Sequence, residues 1–286
     1  MTGSGISPRH DRFVNLRDTR IDEDLMAIAR NGNVRLHWRE DGAGAPLLLL
    51  NSVGCDLAIW DKVVAHLKGF RVLRMDMRGH GPSDSPPGDY TLDQIASDAL
   101  AVLDAAGVDK AAICGLSLGG MTAMTLGLNA PSRISALVLA CTSAQMDRQV
   151  WDARITAVRG QGMAAVAEPV MTRFFSEEFR RDHAPEVDAI RSRFLKLDAE
   201  AYAGCCAAIR DMNLLDRIAG IGAPTLIIAG NKDAATPFEG HGSEIRKRIA
   251  QAAVSMVPAG HIAPVEKPDI FAALVTDFLS GLSRAG

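Results

Sequence analysis

Short apolar runs recur along the chain and are mostly separated by amphipathic stretches of helical length, such as Thr91–Ala106 and Met121–Asn129. A strand that is apolar at consecutive positions is typical of a parallel sheet, because both of its faces are buried. Strands that alternate with helices indicate a doubly wound, mostly parallel α/β sheet. The predicted strands are Leu47–Leu50, Val72–Met77, Ala111–Cys114, Ala136–Ala140, Thr225–Ala229 and Val254–Val257.

Three regions depart from this alternation. Met26–Arg30 and Val34–Glu40 flank Asn31-Gly32-Asn33, which predicts a β-hairpin at the start of the patterned sequence. Residues 145–215 contain no strand-like run, so we expect them to form a helical cap, or lid, between two core segments, 26–144 and 216–286. Residues 1–25 are polar and lack sustained periodicity, which predicts a flexible extension.

Composition and charge narrow the class of protein. The chain has 286 residues, and its hydrophobic content of 48% is enough for a substantial core and excludes global disorder. A formal net charge of −3 without blocks of like charge argues against nucleic-acid and membrane-surface partners. The N-terminus lacks a hydrophobic signal core, and the five cysteines lack the spacing of a zinc site. We therefore expect a cytoplasmic protein without a bound metal.

A motif for a nucleophile follows the predicted strand Ala111–Cys114. Gly115-Leu116-Ser117-Leu118-Gly119 has the form G-x-S-x-G and precedes a helical run that starts at Gly120. Such a strand–turn–helix holds the serine on a sharp turn, and glycines avoid a clash with neighbouring backbone there. The alternative interpretation is a helix N-cap serine flanked by packing glycines. The context favours Ser117 as a catalytic nucleophile.

An acid and a base follow in the order that this motif requires. Asp233 comes directly after the strand Thr225–Ala229, and His261 follows the strand Val254–Val257. A serine nucleophile needs a histidine to accept its proton and a carboxylate to orient that histidine. His241 is the competing base, but it is expected at a helix start rather than after a strand.

Two backbone amides are candidates for an oxyanion hole. Leu118 directly follows the nucleophile, and Val53 lies in the loop after the strand Leu47–Leu50. The other histidines that precede the nucleophile, His37, His66 and His80, are expected on a strand face, on the surface and in a turn, respectively.

The motifs together resemble the α/β-hydrolases and, among them, the 3-oxoadipate enol-lactonases of aromatic catabolism. The resemblance extends from about Met26 to Leu282. It departs from the family pattern at Phe174, where a tryptophan is usual, at Asn213, and around His261 at Gly260 and Ala263-Pro264. The motifs that carry it are Leu50–Gly54 with Trp60, Asp76–Asp84 with its Arg78-Gly79-His80-Gly81, Gly115–Met121, Trp151–Ile155, Tyr202–Arg210, Asp233–Pro237, and His261 with Glu266–Pro268.

This resemblance implies an α/β-hydrolase fold and a carboxylic ester hydrolase that opens 3-oxoadipate enol-lactone through an acyl-enzyme. It implies that the protein needs no cofactor and that its partner is a small lactone or ester. It does not decide whether the protein forms a homo-oligomer. Because such a lactone carries a carboxylate, Arg154 is the candidate cation, with Trp151 as a wall; Arg148, Arg159 and Arg173 remain alternatives. A carboxylesterase, a carbon–carbon bond hydrolase or a haloperoxidase-like protein would share the same triad, and a non-catalytic binding protein is a further alternative.

Overall fold

The computed structural model describes Met1 and residues 27–285, with side chains up to residue 282. In this part of the chain, eight strands form one sheet. The strand order is β1-β2-β4-β3-β5-β6-β7-β8. The first hairpin and the β2–β4 pair are antiparallel, and the remaining pairs are parallel. The strands are β1 (Ala27–Asn31), β2 (Val34–Gly42), β3 (Ala45–Leu50), β4 (Phe70–Met75), β5 (Ala111–Leu116), β6 (Ile134–Ala140), β7 (Thr225–Gly230) and β8 (Ala253–Val257).

The helices cover the sheet, and those between β6 and β7 form a further layer above its carboxyl edge. The helices outside the cap are α1 (Asp61–Val64), α2 (Leu92–Ala105), α3 (Leu118–Asn129), α9 (Ser243–Arg248), α10 (Ala263–Glu266) and α11 (Pro268–Ala285). The structure describes every residue between β6 and β7, and this segment forms five helices, which we call the cap. They are α4 (Arg148–Gln161), α5 (Ala164–Phe174), α6 (Glu177–Asp182), α7 (Ala184–Phe194) and α8 (Ala199–Asp211). The prediction of a doubly wound, mostly parallel sheet with an inserted helical cap is confirmed.

Local sequence explains where these elements begin. Gly32 adopts φ +58° in the two-residue turn of the first hairpin, so Asn31 belongs to β1 and pairs with Val34. Thr91 caps α2 by accepting the Gln94 N–H, and the Gln94 side chain accepts the Thr91 N–H in return. All residues of β5 are buried, as expected for a central parallel strand. Apart from Met1, the predicted extension 1–25 lies outside the described residues.

Candidate active site

Ser117 occupies the turn between β5 and α3 in a strained backbone conformation. Its φ of +56° and ψ of −114° lie in a region that residues with a side chain seldom adopt. A Cβ on Gly115 would lie 2.1 Å from the Gly119 carbonyl oxygen, and one on Gly119 would lie 2.2 Å from the Leu50 carbonyl oxygen. Both glycines of the motif are therefore required because the backbone approaches too closely for any side chain.

Asp233 and His261 lie on the loops that follow β7 and β8 and form a buried pair. His261 Nδ1 is 2.9 Å from Asp233 Oδ2. Asp233 also accepts hydrogen bonds from the backbone N–H groups of Ala235 and Thr236, at 2.7 and 3.0 Å, and from the Thr236 hydroxyl. Burial alone would raise the pKa of Asp233, but the charge and hydrogen bond of His261 and these N–H groups outweigh it and lower the pKa to about 2.

The ionised Asp233 fixes the tautomer of His261. A carboxylate accepts the Nδ1 proton, so the neutral imidazole carries its lone pair on Nε2. A nitrogen in that state is able to accept a proton from a nearby hydroxyl.

Ser117 and His261 line the same cavity, which has a volume of about 280 Å³ and lies between the sheet edge and the cap. Within the described part of the chain, the Ser117 hydroxyl makes no hydrogen bond, and the Val53 and Leu118 N–H groups donate none. Val53 also lines the cavity. The two amides are therefore free to donate to an oxygen that develops negative charge.

Comparison with known proteins identifies the family. A family model described as the alpha/beta hydrolase fold matches residues 45–268.

The chain belongs to the α/β-hydrolase family. It is 33% identical over 227 residues to 3-oxoadipate enol-lactonase 2 of Acinetobacter baylyi, covering 79% of this chain and 85% of the relative. The crystal structure of an enol-lactonase from Burkholderia xenovorans LB400 has 36% identity and a TM-score of 0.86, covering 89% of this chain and 100% of that one. A hydrolase from Pseudomonas aeruginosa PA01 has 39% identity and a TM-score of 0.86, covering 90% and 99%. The resemblance to the enol-lactonases is confirmed.

The cap of this hydrolase supplies two arginines to the cavity. The Arg154 guanidinium lies 4.4 Å from the centroid of the Trp151 ring, and Arg154, Trp151 and Arg173 all line the cavity. Among the described residues, neither Arg154 nor Arg173 forms an ion pair with a carboxylate. Arg148 and Arg159 pair with carboxylates at 2.6 Å and do not line the cavity. The structure thus leaves Arg154 and Arg173 as the cations available to a ligand.

The cavity is also lined by His241, which the sequence offered only as the less favoured base, and by Phe174, which was not predicted as a site residue. His241 lines it from the irregular turn Phe238–Gly242, where Gly240 adopts φ +83°. Its Nδ1 is 2.9 Å from the Ser143 hydroxyl, and burial lowers its pKa. The Phe174 ring stacks on His261 with centroids 5.8 Å apart. The sequence signals that point to these two side chains as site residues are the position of His241 shortly after Asp233 and the departure from the family pattern at Phe174.

The described residues contain no group of three or more histidine, cysteine, aspartate or glutamate side chains placed to hold a metal ion. In the same part of the chain, no helix is both long and apolar enough to cross a membrane.

Proposed function

We propose that this hydrolase opens a lactone that carries a free carboxylate, 3-oxoadipate enol-lactone, to give 3-oxoadipate in aromatic catabolism by the β-ketoadipate pathway. The observation that carries the proposal is one cavity lined by Ser117, by His261 with its partner Asp233 behind it, and by Arg154, which forms no ion pair with a carboxylate of the described residues. Ser117, His261 and Asp233 supply the groups for acyl transfer, and Arg154 supplies a cation for the carboxylate.

In the proposed first half-reaction, Ser117 Oγ attacks the lactone carbonyl while His261 Nε2 accepts its proton. Asp233 stays ionised and stabilises the imidazolium that forms. The Val53 and Leu118 N–H groups donate to the oxyanion, each contributing about 3 kcal/mol to transition-state stabilisation. The ring C–O bond then breaks, and His261 returns the proton to the leaving enol oxygen. The enol tautomerises to the ketone.

In the second half-reaction, His261 activates water, which attacks the acyl-enzyme and releases Ser117. The acid product leaves with both carboxylates free. These steps use only side chains and amides of this chain, so the proposal includes no cofactor.

The substrate class rests on the two cap arginines. Arg154 is half-buried and stacked on Trp151, which limits its motion and lowers the cost of ordering it around a carboxylate. Enol-lactonases are among the similar proteins, at 33% and 36% identity.

We further propose that residues 145–215 form the cap that selects the substrate. We also propose that the protein works in the cytoplasm, which the five free cysteines support.

The first test compares kcat/KM for 3-oxoadipate enol-lactone with that for 4-nitrophenyl acetate, in the wild type and in Ser117→Ala. We expect the lactone to be preferred by at least about 100-fold, and Ser117→Ala to lose at least about 10⁴-fold on both substrates. Turnover of the simple ester alone would replace the lactone by a carboxylesterase function. Activity retained by Ser117→Ala would contradict the mechanism.

A second prediction concerns the substrate carboxylate. Arg154→Met should raise KM for the lactone by about 10- to 100-fold, because a charge-assisted hydrogen bond is lost. It should leave KM for 4-nitrophenyl acetate, which has no carboxylate, nearly unchanged. Arg148→Met is the matched control, since Arg148 lies on the same helix but outside the cavity and pairs with Asp211. Equal effects of Arg154→Met on both substrates would assign Arg154 a structural role instead.

A further inference from the structure

His80 is a fully buried histidine outside the cavity that the proposed reaction does not use. It lies in the Arg78-Gly79-His80-Gly81 turn that follows β4. Its Nε2 is 2.8 Å from the Gly54 backbone nitrogen, and its Nδ1 is 3.2 Å from the Arg78 carbonyl oxygen. Because a backbone N–H only donates, Nε2 is the acceptor and the ring proton lies on Nδ1. Burial lowers the pKa of His80, which favours this neutral form.

Gly54 directly follows Val53, whose N–H is a proposed oxyanion donor. The loop that contains both residues is also held at its two ends by β4 and the turn after it. Asn51 Nδ2 donates to the Met75 carbonyl oxygen at 2.9 Å, and the Leu57 N–H donates to Asp76 Oδ1 at 2.7 Å. The His80–Gly54 bond lies between these two anchors and, of the three hydrogen bonds that tie this loop to β4 and the turn after it, is the nearest to Val53 in sequence.

The opposite side of this loop is closed by the cap. Gly54 adopts φ +86°, and a Cβ there would lie 2.8 Å from the Phe194 ring and 3.4 Å from the Tyr202 ring. Packing therefore confines the loop from above, whereas His80 fixes the rotation of the Val53–Gly54 peptide plane. The Cys55 N–H donates to the Ser52 carbonyl oxygen at 3.1 Å, so Val53 and Gly54 are the central residues of one turn, and holding the Gly54 N–H limits movement of the Val53 backbone with its N–H.

We propose that His80 is a positioning residue for the oxyanion hole, in which neutral Nε2 holds the Gly54 N–H and thereby keeps the Val53 N–H directed into the cavity. This inference rests on the proposed acyl-transfer function. It assigns a task to the Arg-Gly-His-Gly motif, which the triad alone leaves without one. An oxyanion donor acts mainly in the transition state, so a misplaced Val53 N–H lowers kcat rather than raising KM.

The test removes the acceptor and then restores it. His80→Phe keeps a ring without an acceptor, and His80→Gln places an amide oxygen near the position of Nε2. With 4-nitrophenyl acetate, we expect His80→Phe to lower kcat by about 10- to 100-fold with little change in KM, and His80→Gln to recover most of that loss. Rates are divided by the concentration of Ser117 titrated with a fluorophosphonate, so that only folded enzyme is counted. His66→Gln, at an exposed histidine, is the control.

The outcomes separate the two proposals. A kcat of His80→Phe equal to that of the wild type would overturn the inference, as would equal losses in His80→Phe and His80→Gln, which would indicate packing alone. If His80→Phe does not fold, His80→Met takes its place, because methionine matches glutamine in length but offers only a weak acceptor. A wild type that neither hydrolyses the ester nor reacts with the fluorophosphonate at Ser117 would overturn the proposed function and this inference with it.

Discussion

At the scale of single residues, Asp233 has a pKa well below that of an ordinary aspartate. Its side chain is buried, yet it receives two backbone N–H groups, a hydroxyl and the His261 ring. Burial raises the pKa of this carboxyl, but the charge and hydrogen bond of His261 and the two backbone N–H groups outweigh it and lower the pKa to about 2. Asp233 therefore remains ionised over the whole pH range in which a histidine titrates. Protonation of Asp233 should then make no contribution to the pH dependence of kcat/KM above about pH 4.

The lowered pKa also predicts how stability depends on pH. A carboxyl whose pKa is lower in the folded state stabilises the protein above its unfolded pKa, and this contribution is lost as the pH falls toward the folded value. For Asp233 the window runs from about pH 4 to pH 2. Between pH 5 and pH 2, the free energy of unfolding should fall by about 2 kcal/mol more in the wild type than in Asp233→Asn. Chemical denaturation at several pH values measures this, and parallel curves would contradict the assignment.

The triad candidates and the remaining cavity residues differ in how far sequence predicts their positions. Ser117, Asp233 and His261 each follow a parallel strand, and the carboxyl ends of such strands meet at one edge, so their proximity followed from the strand pattern. Their catalytic roles stay predictions. His241 and Phe174 lie in an irregular turn and at the end of a cap helix. No periodicity fixes the direction of such side chains, because contacts distant in sequence decide it.

At the scale of elements, the corner between α5 and α6 is attached to the loop that carries His261. The Ile262 N–H donates to the Phe174 carbonyl oxygen at 2.9 Å. Glu266 accepts the Ser176 N–H at 2.7 Å and the Ser176 hydroxyl at 2.8 Å. A Cβ on Gly260 would lie 2.7 Å from the Ser176 nitrogen, so the two segments are in close contact. The cap therefore cannot lift at this corner without displacing the loop of His261.

This attachment predicts a paired loss of stability and rate in Glu266→Ala. The change leaves the buried Ser176 N–H without an acceptor, which should lower the free energy of unfolding by about 1–3 kcal/mol. We expect kcat to fall at the same time because His261 is less well held, whereas Glu266→Gln should recover most of both losses. Denaturation curves and kcat for 4-nitrophenyl acetate measure the two effects. Glu177→Ala, beside Ser176 but exposed, is the control, and an unchanged kcat in Glu266→Ala would show that the attachment is only structural.

At the scale of the whole molecule, α8 joins the cap to the sheet domain. Its residues Ala201–Ile209 are buried without interruption, although α8 belongs to an inserted segment. A helix that is buried on all sides must be covered on all sides. Here α4 packs along one side, and the segment after β4 covers another, where the Tyr90 N–H donates to the Gly204 carbonyl oxygen at 3.1 Å. Cap and sheet residues consequently share one hydrophobic core.

A shared core predicts that α8 and the central sheet unfold together. Native-state hydrogen exchange should give amides of α8 the same opening free energy as those of β5, because exposing either one disrupts the same core. The short helix α6, which buries only Phe179, should open at a lower free energy and supplies the internal comparison. If α8 amides exchanged several kcal/mol below β5, the cap would open as a separate unit. Substrate entry would then involve lifting of the whole cap, rather than local motion near α6 over a fixed α8.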